Sequence, residues 1–583
     1  MSSLALLECV KLHDTAMKTS RAVAMPACPR LAWWREARFG LFVHYSLSAI
    51  PAGVWKGRDI GTYSEWLMHQ AQVPVSEYMP LAQQFTAAGF DAEAIVRLAD
   101  EAGMRYVVMV AKHHDGFCLF DTACTDFNAV RGAPARRDLV REMADACARR
   151  GLPFGVYYSH AQDWVHRGGN GNTWDPSQQG DFDAYLDEVA VPQVRELLTN
   201  YPSVRILWYD TPRFITPERA ARFQAAHRLQ PELIVNDRLD SRDFTAEAGS
   251  GDVITPEQFV PATGYPGKDW ETCMTMNRSW AFKSTDHDWK SADTLLRHLS
   301  DITSKGGNFL LNIGPEADGT VPAPSVEVLR AIGAWMEIHH EAIRGTLGSP
   351  FPKRLPWGRV TRRAIMGGTR LYLHVWEWPA DGVVVLPGLR SVLVAACLLT
   401  DGRAVSAQAT VAGVVVTLPA TPSAGPIPVV VLDLAGEPVL DPPALTTDAQ
   451  GRVILWPADA ELAGPDDAKP VVVGFGEQAV ITNLRDGGWR VRFHAELPRA
   501  GIWAVALEVG TAAFNRLRVT MGGDQGTASV RSVWATEKDA ETLIERELGV
   551  FRLGAGTHSI EVRAELTDVR PLRLGRLVLT PVT

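Results

Sequence analysis

The sequence is short of the features that most readily place a chain in a functional class. Its seven cysteines (Cys9, Cys28, Cys118, Cys124, Cys147, Cys273 and Cys397) are scattered through 583 residues with no Cys-x-x-Cys pair. They offer no zinc-ligand spacing and read as small core residues. No apolar run is long enough to span a bilayer, so no membrane partner is expected. Near the start, Glu8 and Lys11 interrupt the apolar residues too early for a signal-peptide core. A cytoplasmic location is the default expectation, with a periplasmic or secreted one if the true start differs. Runs of lysine and arginine are missing too, and the net charge is -9, which argues against a nucleic-acid partner. Repeats and low-complexity tracts are absent, and nothing sets the oligomeric state. What is present is ordinary for a soluble protein, 46% hydrophobic and 21% charged residues. The length exceeds what one hydrophobic core serves, so two or three domains are expected.

From Phe39 to about Asn312 short apolar runs alternate with capped amphipathic segments. Strands are expected at Phe39 to His44, Tyr106 to Ala111, Phe154 to Tyr158, Ile206 to Asp210, Leu233 to Arg238 and Asn308 to Asn312. Between them Asp91, Asp138, Thr216 and Ser291 stand where helix N-caps belong, and Gly103 and Gly151 where helices end. A longer helical pattern over Phe182 to Leu198 should kink or break at Pro192. Such alternation implies a parallel sheet covered on both faces. Its length and strand count fit an α/β fold of the (β/α)8-like barrel type better than an open sheet. After about Gly345 the pattern changes to short strand-like runs between Gly, Pro and Asp turns. The expected organisation is an N-terminal extension (1–30), a catalytic barrel (31–346), a β-sandwich (347–436), a proline-rich linker (437–469) and a second β-sandwich (470–583). That last module is either a carbohydrate-binding module or a structural brace. His339 and His340, on the last barrel helix, read as a surface pair.

The residues that end the strands carry the chemistry. His44, Lys112 to Asp115, Tyr158, Asp210 and Arg238 are all polar, and a barrel brings its strand ends to one mouth. Imidazoles, carboxylates, a guanidinium and aromatic rings together suit a small polyhydroxylated ligand. In Arg205 to Pro212 a strand runs straight into Asp210 and Pro212 stops it. If Asp210 attacks an anomeric carbon, a second carboxyl must protonate the leaving oxygen. Glu247, Glu257 and Glu271 all follow Arg238, and spacing alone does not rank them; Glu257 lies in a stretch long enough to fold over the mouth. The His113-His114-Asp115 run also admits metal ligation. Against that, adjacent strand residues point to opposite faces, and no further ligand spacing accompanies them.

Seven motifs in order then resemble the α-L-fucosidases of glycoside hydrolase family 29. They are Trp33 to His44, Tyr63-Ser64-Glu65-Trp66, Ala111 to Phe117, Gly155 to Ser159, Leu207-Trp208-Tyr209-Asp210, Val235-Asn236-Asp237-Arg238 and Ser304 to Pro315. They cover about residues 30 to 345. The resemblance implies a retaining double displacement with no cofactor and no metal, on a fucosylated oligosaccharide or glycoconjugate. It implies Asp210 as nucleophile and Glu257 as acid/base. It also implies a fucose pocket lined by His44, Glu65, Trp66, His113, His114, Tyr158, Trp208 and Arg238, with Trp280 on its apolar side. Arg238 is expected to hold Asp210 ionised, and an apolar loop to raise the pKa of Glu257. Thr211-Pro212 and the Thr255 to Gln258 stretch resemble the branch acting on α1,3/4-fucosides. Two rival readings are another retaining glycosidase, for a 6-deoxy or galacto-configured sugar, and a non-catalytic fucose-binding protein.

Overall fold

The computed structural model describes residues 28–582 apart from 62, 202–203, 241–250, 262–263, 266, 352–353, 423–424, 442–446, 449, 464–469, 474–478, 483, 485–487, 512–514, 524–528, 536–542 and 567–571. The N-terminal extension before Cys28 and the candidate Glu247 therefore lie outside the described residues.

Helix α1 (Pro29–Ala37) leads into β1 (Phe39–Val43). There follow α2 (Ala92–Glu101), β2 (Val107–Lys112), α3 (Leu139–Arg150), β3 (Phe154–Ser159), α4 (Val191–Asn200), β4 (Val204–Asp210), α5 (Pro217–His227), β5 (Ile234–Val235), β6 (Glu271–Thr275), α6 (Ala292–Ser304), β7 (Asn308–Ile313) and α7 (Ala323–His339). All seven strands form one parallel sheet in the order β5-β4-β3-β2-β1-β7-β6. Its two edges are joined by an eighth stave. Val253 bridges Asn236 after β5, while Ile254 and Glu257 bridge Trp270 and Cys273 on the β6 side, all in parallel. The sheet thus closes on itself, and Glu257 sits on the closing stave instead of on a loop folded over the mouth.

Local chemistry explains the helix boundaries. The carboxylates of Asp91 and Asp138 accept from the backbone N–H groups of Ala94 and Arg141, and Thr216 and Ser291 cap α5 and α6 in the same way. Gly151 ends α3 at φ 70°, in the left-handed region that a side chain disfavours. Since Asp91 is exposed and its cap bond local, Asp91→Ala should cost about 1 kcal/mol, read as a lower denaturant midpoint with an unchanged slope. The α-helical pattern is interrupted just before Pro192: a π-turn at Leu186–Ala190 intervenes, and α4 starts immediately after it with Pro192 in its first turn.

Alternation along each buried strand sorts its residues between two cores. Phe42, Val108, Val110, Tyr157, Ile206, Trp208, Cys273 and Leu310 pack inside the barrel. Leu41, Val43, Met109, Val156, Tyr158, Leu207, Tyr209 and Leu311 face the helix layer. Gly40 leaves room for a ring: a Cβ there would fall 2.4 Å from the Tyr106 side chain.

Beyond the barrel, a four-stranded sheet (Gly358–Ile365, Gly368–Val375, Val429–Ala435, Leu393–Leu398) and a three-stranded sheet (Val383–Pro387, Gly413–Thr417, Ser406–Thr410) enclose a separate core. This sandwich is docked on the barrel helices. Trp335 of α7 donates to the Ile427 carbonyl at 2.9 Å, and Trp376 donates to Ser300 of α6 at 3.0 Å. His339 belongs to that junction and is buried, with its ring stacked on Trp335; the surface reading of this residue is corrected. Two further antiparallel sheets form the C-terminal module. Part of the expected linker belongs to them, because Val453–Leu455 pairs with Leu577–Leu579 and Glu461–Ala463 with Arg490–Arg492. Among the described residues no helix is long and apolar enough to cross a membrane.

Candidate active site

Asp210 is the last residue of β4, and its carboxylate is held from three sides. Oδ1 accepts from Arg238 Nη1 and from the Thr211 N–H, both at 2.8 Å, and Oδ2 accepts from the Tyr157 hydroxyl at 2.9 Å. His114 Nε2 stands 3.6 Å from Oδ2. Arg238 is almost fully buried, just past β5. Its Nε donates to Thr255 Oγ1 at 3.1 Å and its Nη2 to the Thr255 carbonyl at 2.9 Å. The guanidinium also lies over the Trp208 ring, 4.5 Å from its centre. Burial works against its charge, but the carboxylates of Glu257 and Asp210 outweigh that and hold its pKa well above the ordinary value.

The same Nη1 that binds Asp210 also binds Glu257 Oε2, at 2.9 Å. Legs of 2.8 and 2.9 Å from one atom keep the two carboxylate oxygens no further apart than their sum, about 5.7 Å, a limit that admits the spacing of about 5–5.5 Å between the carboxyls of retaining glycosidases. The two differ in depth, with side-chain exposures of 12% for Asp210 and 31% for Glu257. Asp210 is the deeper of the two and Glu257 the more accessible. Glu257 thus has a guanidinium as a close neighbour.

Glu271, the rival acid, is removed from this pair. It opens β6 at the opposite end of the barrel from Asp210 and Arg238, level with Asn308, and accepts from the Tyr106 hydroxyl. Burial raises its pKa to about 7, against the hydrogen bond from Tyr106. It is a protonatable group in the barrel floor.

Of the strand-end residues expected at the mouth, Lys112 instead donates to Asp163 and Tyr185, both at 2.8 Å, and Asp115 accepts from the Tyr78 hydroxyl at 3.0 Å; the pocket residues implied by the resemblance converge, with one exception. His44 Nδ1 is 2.6 Å from Asn312 Oδ1, and the Asn312 amide nitrogen donates to the Trp280 carbonyl at 2.7 Å. Asn312 thereby presents its oxygen to His44, so Nδ1 carries the proton and Nε2 is left as an acceptor. Burial lowers the His44 pKa to about 3, so the ring is neutral. His114 Nδ1 likewise donates to Ser159 Oγ at 2.6 Å, because the Ser159 proton is given to the Gln162 carbonyl. His113 stacks on Tyr157 with centroids 5.2 Å apart, and its Nδ1 has no partner among the described residues. Burial first, and the neighbouring His114 second, push its pKa well below the ordinary value. Glu65 Oε2 accepts from the Ala281 N–H at 3.1 Å and from Ser279, while Oε1 is buried and has no partner among the described residues. Burial raises its pKa to about 7, so in mildly acidic solution it is a donor. Trp280 lies 5.0 Å from His44 and 6.1 Å from Phe42, and Trp66 packs edge-on to His114 at 5.2 Å.

Tyr158 is the exception, and its expected place in the pocket is corrected. Its hydroxyl bonds Gln193 of α4 at 2.7 Å, in the helix layer. Tyr157 faces the interior and binds Asp210. Both faces of a parallel strand are buried, so apolar character does not reveal which of two adjacent tyrosines points inward. Asn312 also went unassigned, although it lies two residues beyond the interior Leu310 and alternation places it in the barrel.

The site thus places two carboxylates on one arginine at the mouth of a parallel barrel. The Alpha-L-fucosidase family model matches residues 10–341. The chain belongs to the α-L-fucosidases, glycoside hydrolase family 29. Rat (Rattus norvegicus) tissue alpha-L-fucosidase is 29% identical over 420 residues, 68% of this chain and 87% of that protein. The crystal structure of alpha-L-fucosidase from Vibrio sp. strain EJY3 superposes with a TM-score of 0.72 at 26% identity, covering 95% of this chain and 98% of that one. An alpha-L-fucosidase from Bacteroides thetaiotaomicron, solved as a trapped covalent intermediate with 2-fluoro-fucosyl fluoride, gives 0.64 at 27% identity over 72% and 98%.

The buried titratable groups of this fucosidase fix the sign of its acid sensitivity. Besides His44, burial lowers His160 and His298 to about 4 and His374 to about 3. Unfolded histidine binds its proton near pH 6.5, so between that pH and the folded values the unfolded chain holds more protons and acid favours unfolding. Glu65 and Glu271 work the other way between their unfolded value of 4.5 and about 7, since there the folded form holds the extra proton. Below pH 4.5 that offset is gone. The melting temperature should therefore fall most steeply from about pH 4.5 to 3, which differential scanning calorimetry across a pH series checks.

Proposed function

We propose that the enzyme is an exo-acting, retaining α-L-fucosidase in which Asp210 is the nucleophile and Glu257 the acid/base. The observation that carries this is the single Arg238 nitrogen shared by the two carboxylates. Arg238 favours the ionised form of Asp210, and Tyr157 and the Thr211 N–H aim it. Asp210 attacks the anomeric carbon while Glu257 gives its proton to the glycosidic oxygen, and the aglycone departs through the mouth. Water then enters on the vacated face. Glu257 takes its proton, the bond from Asp210 to the sugar breaks, and fucose leaves with its α configuration restored. As acid, Glu257 must be neutral, so it leaves Arg238 as the glycosidic oxygen arrives; its greater exposure allows that.

The pocket suits a 6-deoxy sugar. His44 Nε2 accepts from a sugar hydroxyl, His113 Nδ1 and Glu65 Oε1 have hydrogen-bonding capacity to spare, and Trp280 with Phe42 offers an apolar wall to the methyl group. Fucosylated oligosaccharides or glycoconjugates are the proposed substrates. An α1,3/4 preference extends this reading from Thr211-Pro212 and Thr255 to Gln258, and a screen of defined fucosylated oligosaccharides tests it. The activity itself is tested with aryl glycosides. The α-L-fucoside should release nitrophenol at least about 100-fold faster than galacto-configured or other 6-deoxy analogues, a factor within the range expected of a pocket built around one sugar. Silence on all of them with fucose still bound identifies a sugar-binding protein instead.

A further inference from the structure

We propose that Phe214 is the platform for the sugar ring that carries the fucose, and so a determinant of which glycans the enzyme accepts. A lone exposed aromatic on a protein surface needs no explanation. Phe214 does, because of where and how it is held. It lies four residues past Asp210, in a turn whose first N–H binds the Asp210 carboxylate. Two non-glycine residues of this turn, Thr211 at φ 49° and Phe214 at φ 58°, occupy the left-handed region, a sparsely populated conformation that persists where surrounding contacts enforce it.

The enforcing contacts are visible. Arg219 Nη1 donates to the Phe214 carbonyl at 2.8 Å and Asn170 to the Arg213 carbonyl at 3.4 Å, while Arg213 N–H binds the Thr211 carbonyl at 2.8 Å. These bonds fix the backbone, and yet the aromatic residue remains 72% exposed. The turn is the loop that follows β4, at the same end of the barrel as Asp210, where strand-to-helix loops surround the mouth.

The occupant follows from the reaction, and the inference therefore rests on the fucosidase reading above. With fucose in the pocket, its glycosidic oxygen points to the mouth and the next ring lies across the rim. The C–H face of a pyranose stacks on an aromatic face, and a rigidly held backbone reduces the ordering cost of such a contact.

The test uses the full-length enzyme and two substrates, α-L-fucosyl fluoride, which has no second ring, and a fucosyl disaccharide. Phe214→Ala should lower kcat/KM for the disaccharide on the order of tenfold, mainly through KM, a size set by one aromatic contact. The fluoride should be turned over as by the unsubstituted enzyme, and Phe214→Trp should keep most of the disaccharide activity. An equal loss on both substrates, or a loss on neither, overturns the assignment of Phe214 and leaves the fucosidase reading standing. No turnover of the fluoride by the unsubstituted enzyme overturns both.

Discussion

Asp210→Gly should reduce turnover of an aryl α-L-fucoside by at least about 10⁴-fold, the scale on which removal of a covalent nucleophile is felt. Azide should then restore part of the activity. It fits the space left by the carboxylate and attacks from the same face, while Glu257 still protonates the leaving group. The product would be β-fucosyl azide, inverted once. Loss of activity alone does not distinguish a nucleophile from a group that holds Arg238, because an Arg238 deprived of either carboxylate is a buried charge short of a partner. Rescue with inversion does distinguish them. A folded variant that stays inactive in azide and melts below the parent would assign Asp210 to holding Arg238.

Glu257→Gly should lower turnover about 10²- to 10⁴-fold on a substrate whose leaving group needs a proton. With dinitrophenyl fucoside, whose leaving group needs none, the first step should survive and the intermediate accumulate as a burst. Azide would attack that intermediate from the vacated face and give α-fucosyl azide, the opposite anomer from the Asp210 variant. The position of Glu257, more accessible than Asp210 and bound to the same nitrogen, calls for this pairing of outcomes. Near-normal activity in the variant would remove Glu257 from the mechanism. Glu271 would not inherit the role, since it sits in the barrel floor against Tyr106, and attention would turn to residues 241–250.

The strand ends made much of this site legible in advance. His44, His113, His114, Asp210 and Arg238 each end an apolar run with a polar residue, and only a closed sheet brings such ends together. Tyr157 and Tyr158 were not separable, because what distinguishes them is which of two buried faces each points to. The stave bearing Glu257 was illegible for a different reason. Thr255-Pro256-Glu257-Gln258 has no apolar run, and Pro256 has no N–H to give to a ladder, so a segment held by three isolated bridges reads as a loop. The same holds for Val453–Leu455 and Glu461–Ala463, strands of three residues set among prolines. His339 was misread because a helix face that meets a second domain carries no mark in its own periodicity.

The arrangement around Arg238 makes one central claim, that a covalent fucosyl-enzyme forms on Asp210. The most direct measurement is to inactivate the enzyme with 2-fluoro-fucosyl fluoride, digest it and locate the added mass by tandem mass spectrometry. One fluorofucosyl group on the peptide containing Asp210, bound to that carboxylate, is the expected result. Label on any other residue, or no label from an enzyme that hydrolyses fucosides normally, would contradict it.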